Sequence, residues 1–116
     1  MAHITIYQKP TCSTCRKVIK LVEESGQPFT AINYYEEPLT KTKLKELLKK
    51  GGLKAKEVMR AKEDIYKSLE LAKTDKTEDE LIGLMIEHPD LLQRPLVEKG
   101  DKAIMARPPE MIHDIL

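Results

Sequence analysis

The chain has 116 residues, which is enough for one domain with a hydrophobic core of its own. Charged residues make up 34% and aromatic residues 4%, a balance typical of a helix-rich α/β protein rather than an all-β one. The net charge of +1 argues against general nucleic-acid binding, and the apolar runs are too short to cross a membrane. Since no secretory signal is visible, we expect a cytoplasmic protein whose thiols are reduced at rest, and so polar a surface favours a monomer.

The first elements predict a βαβ unit. Residues 3–7 alternate β-branched and polar side chains, as a strand does. Thr11 or Ser13 would cap the following helix, which is expected to end before Gly26. Residues 28–34 predict a second strand, parallel to the first and reached by a right-handed crossover.

A mainly helical block, about residues 40–88, is predicted next. Its first helix carries leucines at spacings of three and four and is stopped by Gly51-Gly52. Short helical pieces are expected over residues 53–74, and Thr77 with Glu80 forms a capping box that opens the last helix of the block.

The remaining segments predict two strands and a final helix. Residues 95–98 and 102–106 are expected to form two strands that pair as a hairpin around a turn at Gly100-Asp101. Pro108-Pro109 would open the final helix, and three of its residues are expected to pack inward: Met111, Ile112 and Ile115. The predicted order is β-α-β, helical insertion, β-β-α, which makes residues 1–116 one α/β domain.

Both cysteines lie three residues apart at the first strand-to-helix junction, a dithiol redox pattern. The free N–H groups and the dipole of a helix N-terminus favour a thiolate by roughly 0.3–2 kcal/mol. Arg16 and Lys17 add positive charge nearby. We therefore expect Cys12 to be the nucleophile, whereas Cys15, on the packed helix face, has its pKa raised by burial and is a candidate resolving thiol.

Two other interpretations of the cysteines were weighed. A zinc site needs about four ligands, but there is no second cysteine pair and the three histidines are scattered along the chain. Inert core cysteines are disfavoured because Pro10 places Cys12 at a helix tip. Without a Gly-rich phosphate loop or an acidic cluster, no tightly bound metal, flavin or nucleotide is expected.

Arginine is rare among the basic residues. Only four of the 20 are arginines, and Arg94 and Arg107 each directly precede a proline. A guanidinium binds an oxyanion through two parallel hydrogen bonds, so these arginines could hold an anionic substrate. Residues 1–58, which contain the cysteines, also carry 11 Lys and Arg against 6 Asp and Glu. Both features are equally compatible with ordinary surface residues.

Taken together, the whole chain resembles the ArsC/Spx family of thioredoxin-fold proteins, which includes glutaredoxin-type arsenate reductases and the Spx transcriptional regulators. The likeness is carried by these residues: Tyr7, Pro10, Cys12, Gly26, Tyr35, Arg60, His88-Pro89, Leu91-Leu92, Arg94-Pro95 and Arg107-Pro108. The resemblance implies a thioredoxin-like fold with a four-stranded mixed sheet and a cis proline at Pro95.

The resemblance also implies a mechanism. In the family's reductases, the cysteine matching Cys12 attacks arsenate, and arginines matching Arg60, Arg94 and Arg107 bind the oxyanion. Glutathione then acts as thiol co-substrate, and glutaredoxin resolves the mixed species so that arsenite leaves. Thioredoxin is the other candidate reductant.

Two positions depart from the reductase pattern. Gln8 stands where the reductases usually have His; it is expected to contact substrate, but an amide carries no charge. The second is Cys15, because many of the reductases have a single cysteine in this loop. A Cys12–Cys15 disulfide could resolve the intermediate or switch the enzyme off.

The resemblance leaves two alternative functions. One is a glutathione-dependent reductase that acts on another substrate, and the other is an Spx-like redox-sensing regulator that binds RNA polymerase. The cysteine pair supports the regulator, as does Gly51-Gly52, since Spx has a glycine hereabouts in its polymerase contact. Arg107 favours the reductases, and arsenate reduction is the leading hypothesis.

Overall fold

The computed structural model of the protein describes residues 3–60, 63–71, 76–107 and 109–116. The strands of its sheet are β1 (Ile4–Gln8), β2 (Phe29–Asn33), β3 (Leu96–Lys99) and β4 (Lys102–Met105). The α-helices in these ranges are α1 (Ser13–Ser25), α2 (Lys41–Gly51), α3 (Asp64–Ser68) and α4 (Glu78–Glu87). Short 3-10 helices cover Ala55–Val58, Pro89–Leu91 and Pro109–Asp114. None of the helices described is both long and apolar enough to pass through a bilayer.

The four strands form one mixed sheet in the order β2-β1-β3-β4. β1 pairs with β2 in parallel and with β3 antiparallel, and β3 and β4 form an antiparallel hairpin. The predicted fold class, with a parallel first pair and a terminal hairpin, is therefore confirmed. The extent of the domain, residues 1–116, stays a prediction.

The sheet carries a core on each face because strand side chains alternate. One core contains residues of β1, α1, β3 and the last 3-10 helix: Ile4, Ile6, Val18, Val22, Val97, Ala106, Ile112 and Ile115. The other joins the opposite face to α2 and α4, with members including Tyr7, Leu44, Leu47, Leu48, Leu81, Met85 and Leu96. The sheet is thus covered by helices on both sides, and the ends of the strands are left for a site.

Helix α1 ends where its sequence predicts. Cys15, Val18 and Val22 are buried at spacings of three and four, and Gly26 ends the helix with a left-handed φ of 75°. The predicted caps Thr11 and Ser13 are wrong, because the residue at the N-cap position is the one between them, Cys12.

Helices α2 and α4 are confirmed with their caps. Thr40 accepts a hydrogen bond from the Lys43 N–H, and Thr77 forms the predicted capping box with Glu80. Both residues of the glycine pair that ends α2 have a structural reason to be glycine. Gly52 adopts a left-handed φ of 64°, and a Cβ on Gly51 would lie 2.8 Å from the backbone oxygen of Ala103 in β4. The close packing of α2 on β4 therefore requires glycine at position 51, and the left-handed end of the helix favours glycine at position 52.

The final helix differs from the prediction in its type and in its packing. Residues 109–114 form a 3-10 helix, whose three-residue turn puts Ile112 and Ile115 on one side. Both are buried, but Met111 is 38% exposed, so its predicted inward packing is wrong. The predicted helix start at Pro108 and the helical pieces predicted over residues 72–74 lie outside the described residues.

The two helical glycines Gly51 and Gly83 should respond oppositely to alanine. Gly51→Ala is expected to destabilise the fold by about 1–3 kcal/mol, because its Cβ meets a backbone oxygen that cannot move independently. A Cβ on Gly83, inside α4, would make only ordinary contacts at 3.8 Å with Lys41, and Gly83→Ala should add about 0.5–1 kcal/mol of helix stability. Urea unfolding of both variants measures the contrast, and equal effects would contradict the tight α2–β4 packing.

Candidate active site

The loop between β1 and α1 places Cys12 at the start of the helix. The Cys12 N–H donates to the Lys9 carbonyl at 2.9 Å, and the Cys12 carbonyl accepts from the Arg16 N–H at 3.1 Å. With φ −81° and ψ 120°, Cys12 has the extended backbone of an N-cap. Its Sγ accepts a hydrogen bond from the Cys15 N–H at 3.3 Å. Sulfur thus takes the place that a Ser or Asp oxygen usually occupies.

The surroundings of Cys12 favour its thiolate. Burial acts to raise the pKa of the thiol, but hydrogen bonds from the Cys15 thiol and N–H and the nearby charge of Arg94 outweigh it, so the pKa is lowered. Arg16 and Lys17, which were expected to supply the positive charge, are exposed. The positive charge comes instead from Arg94, which lies just before β3.

Cys15 is the opposite case. It is fully buried, and both cysteines are free thiols. Burial, assisted by the hydrogen bond and charge of Cys12, raises the pKa of Cys15 to about 12, although a Lys9 backbone hydrogen bond and Arg94 act to lower it. Cys15 therefore stays protonated at neutral pH.

Arg94 is held in the interior next to Cys12. Only 7% of it is exposed, and its peptide bond to Pro95 is cis, as the resemblance implies. Its Nη1 donates to the Tyr35 hydroxyl at 3.5 Å. Its Nε is buried and has no hydrogen-bond partner among the described residues. A buried guanidinium N–H left unpaired is costly, so it is a donor suited to an anion.

Arg107 is brought to Arg94 by the β3–β4 hairpin. Its Nη1 donates to the Arg94 carbonyl at 3.2 Å. One residue earlier, the Ala106 N–H donates to the Pro95 carbonyl at 3.0 Å. The two arginines flank the open end of the hairpin, and the Arg107 guanidinium lies against the backbone of Arg94.

Arg60 lies on a neighbouring segment. Its N–H donates to the Leu91 carbonyl at 2.7 Å, and its charge acts on the pKa of Tyr34. Its Nε, however, forms an ion pair with Glu63 at 3.0 Å. Arg60 is near the site, but Glu63 holds part of its guanidinium.

Gln8, the last residue of β1, is 7% exposed. Its Oε1 is buried and has no hydrogen-bond partner among the residues described. Since β1 leads directly into the cysteine loop, Gln8 adds a second unpaired polar group to this end of the sheet.

Sequence reasoning assigned no role to the two tyrosines after β2. The Tyr34 hydroxyl donates to the Leu92 carbonyl at 3.4 Å, and burial raises the pKa of Tyr34 to about 12. The ring of Tyr35 packs against it with centroids 5.1 Å apart. A signal was available: β1 and β2 are parallel, so the residues following both strands meet at one edge of the sheet.

The chain is similar to known proteins over nearly its whole length. The ArsC family model matches residues 7–115. An arsenate reductase of Yersinia enterocolitica is 37% identical over the whole chain and 82% of its own length, and the uncharacterized protein YfgD of Escherichia coli is 40% identical over 97% of the chain and 96% of its own length. The solved structure of an arsenate reductase from Vibrio cholerae matches with a TM-score of 0.93 at 36% identity, covering 99% of this chain and 98% of that one. The chain belongs to the ArsC family and has its thioredoxin-like fold.

The opposite pKa shifts predict selective labelling. At pH 7, iodoacetamide should alkylate Cys12 and leave Cys15 unmodified, because only Cys12 has a lowered pKa and partial exposure. Peptide mass mapping of the folded protein measures this, with urea-unfolded protein as the control in which both react. Equal labelling of both cysteines in the folded protein would contradict the assignment.

Proposed function

We propose that this protein is a thiol-dependent oxidoreductase that reduces arsenate to arsenite through a covalent Cys12 intermediate. The observation that carries the proposal is a partly exposed thiol of lowered pKa beside the buried, partly unpaired guanidinium of Arg94. Relatives named arsenate reductases match nearly the whole chain, which supports arsenic as the reacting element. The chemistry needs reduced cysteines, which fits the cytoplasmic location expected from the sequence.

In the first step, the Cys12 thiolate attacks arsenic. A sulfur–arsenic bond forms, an arsenic–oxygen bond breaks, and the departing oxygen takes up protons and leaves as water. Arsenic stays pentavalent. The Arg94 Nε and the Arg107 guanidinium would bind the remaining oxygens, and Gln8 would hydrogen-bond to a protonated one.

Reduction to arsenite then takes two electrons, which two thiols supply by becoming a disulfide. In one route Cys15 attacks the Cys12 sulfur, the sulfur–arsenic bond breaks, and its electron pair stays on arsenic. A thiol with a pKa of about 12 is ionised to only about one part in 10⁵ at pH 7. We therefore favour an external thiol, glutathione, followed by glutaredoxin, over Cys15.

An Spx-like regulator that binds RNA polymerase is the weaker proposal. The glycine pair that supported it is explained by the packing of Gly51 on Ala103 and the helix end at Gly52. What remains is the cysteine pair, in which Cys15 is buried.

Removing the nucleophile should abolish turnover. Cys12→Ser is expected to lose arsenate reduction by at least about a thousandfold in an assay coupled to NADPH through glutathione and glutaredoxin, because a serine hydroxyl is not ionised at neutral pH. Cys15→Ala loses the thiol hydrogen bond to Cys12 but should keep most of the activity, since its backbone N–H and Arg94 still act to lower the pKa of Cys12. If Cys15→Ala were as inactive as Cys12→Ser, Cys15 rather than glutathione would be the thiol that attacks the Cys12 sulfur. Repeating the assay with thioredoxin in place of glutaredoxin identifies the reductant.

The arginines should differ in a definite order. Arg94→Lys is expected to raise the KM for arsenate about 10- to 100-fold through the loss of charge-assisted hydrogen bonds. Arg60→Lys should have a smaller effect, because Glu63 already holds its Nε. Arg16→Lys, an exposed arginine in α1, is the matched control. Equal KM values for Arg94→Lys and the control would exclude Arg94 from the oxyanion site.

A further inference from the structure

We propose that Tyr35 is a positioning residue that holds the Arg94 guanidinium beside Cys12, with Asp90 fixing the direction of the Tyr35 hydroxyl. The inference rests on the proposed function for the identity of the anion. The placement of Arg94 against the thiol can be tested without arsenate.

The hydrogen-bond directions around the hydroxyl leave one arrangement. Tyr35 donates its single O–H to the Asp90 carboxylate, which can only accept. The oxygen lone pairs are then free to accept from the Arg94 Nη1, at 3.5 Å. The result is a chain from a carboxylate through a phenol to a guanidinium.

The hydroxyl keeps its proton in this arrangement. Burial, together with donation to Asp90, raises the pKa of Tyr35 well above that of a free phenol. Tyr35 is thus a neutral link between Arg94 and Asp90 at neutral pH. The negative charge of the chain lies on the exposed Asp90 carboxylate, which is separated from Arg94 by the Tyr35 hydroxyl.

The Tyr35 ring is fixed from two sides. The Nζ of Lys9, in the loop that leads to Cys12, lies 4.7 Å from its centroid, a cation–π distance. The Tyr34 ring packs on it at 5.1 Å. Tyr35 therefore joins three segments, the cysteine loop, the end of β2 and the turn before β3.

Arginine needs such a connector here. Its long side chain loses rotamer freedom when it is held in place, and a misplaced guanidinium cannot make bidentate contacts. Anchoring Nη1 on Tyr35 leaves Nε, the unpaired donor, for the anion. Pre-organisation of this kind improves binding without adding a contact to the substrate.

The variant Tyr35→Phe keeps the ring and removes the hydroxyl. We expect the rate of Cys12 alkylation by iodoacetamide, measured against pH, to show a Cys12 pKa raised by about half a unit, because the guanidinium is less firmly placed. The KM for arsenate should rise about three- to tenfold with a smaller change in kcat, the pattern of lost ground-state binding. Urea unfolding of each variant shows whether a change in fold accounts for the result.

The variant Asp90→Asn removes the negative charge of Asp90 and leaves the Tyr35 hydroxyl in place. The amide oxygen still accepts from Tyr35, so a smaller shift in the same direction is expected. Asp101→Asn is the matched control, because Asp101 lies in the exposed turn at the far end of β3 from Arg94. It should leave both the Cys12 pKa and the KM unchanged.

The outcomes separate the two proposals. A raised Cys12 pKa in Tyr35→Phe, with Asp101→Asn unchanged, supports the positioning role even if the wild-type protein fails to reduce arsenate, in which case only the substrate is wrong. If Tyr35→Phe leaves both the Cys12 pKa and the KM unchanged while Arg94→Lys moves them, Tyr35 does not position Arg94 and the inference is overturned.

Discussion

The hydrogen bond from the Cys15 N–H to the Cys12 sulfur is the interaction on which the site depends. It makes the nucleophile the cap of α1, so the same contact that begins the helix stabilises the thiolate. The position of α1 is in turn fixed by burial of Val18 and Val22 against β1. A small shift of the helix along the sheet would therefore change the reactivity of the thiol as well as its location.

The second half of the site follows from topology. An antiparallel hairpin brings the residues that precede its first strand close to those that follow its second, and here Arg94 and Arg107 each lie two positions beyond a strand end. Because β3 also pairs with β1, the open end of the hairpin lies beside the loop that carries Cys12. Two distant stretches of sequence are thereby joined by two strand pairings.

Much of this was predictable from local patterns. Strand alternation, the α1 stripe and the Thr77 capping box act over a few residues, and each was confirmed. What was missed depends on a choice between close alternatives. Cys12 rather than Thr11 or Ser13 caps α1. Its N–H donates to the Lys9 carbonyl, and this hydrogen bond holds Cys12 in the extended conformation of an N-cap. The exposure of Met111 depends on a helix being 3-10 rather than α, a difference that sequence periodicity over six residues cannot resolve.

The two cysteines show how one helix turn separates two chemical roles. Both lie at the positive end of α1 and within reach of Arg94, whose charge acts to lower both pKa values. Burial decides the difference, since Cys15 faces the sheet and Cys12 faces the loop. Bonding Cys12 to arsenic would remove its negative charge and with it one cause of the raised Cys15 pKa, but the larger cause, desolvation, would remain. Cys15 would therefore remain a poor nucleophile toward the Cys12 sulfur, whereas an external thiol needs only the exposed side of Cys12.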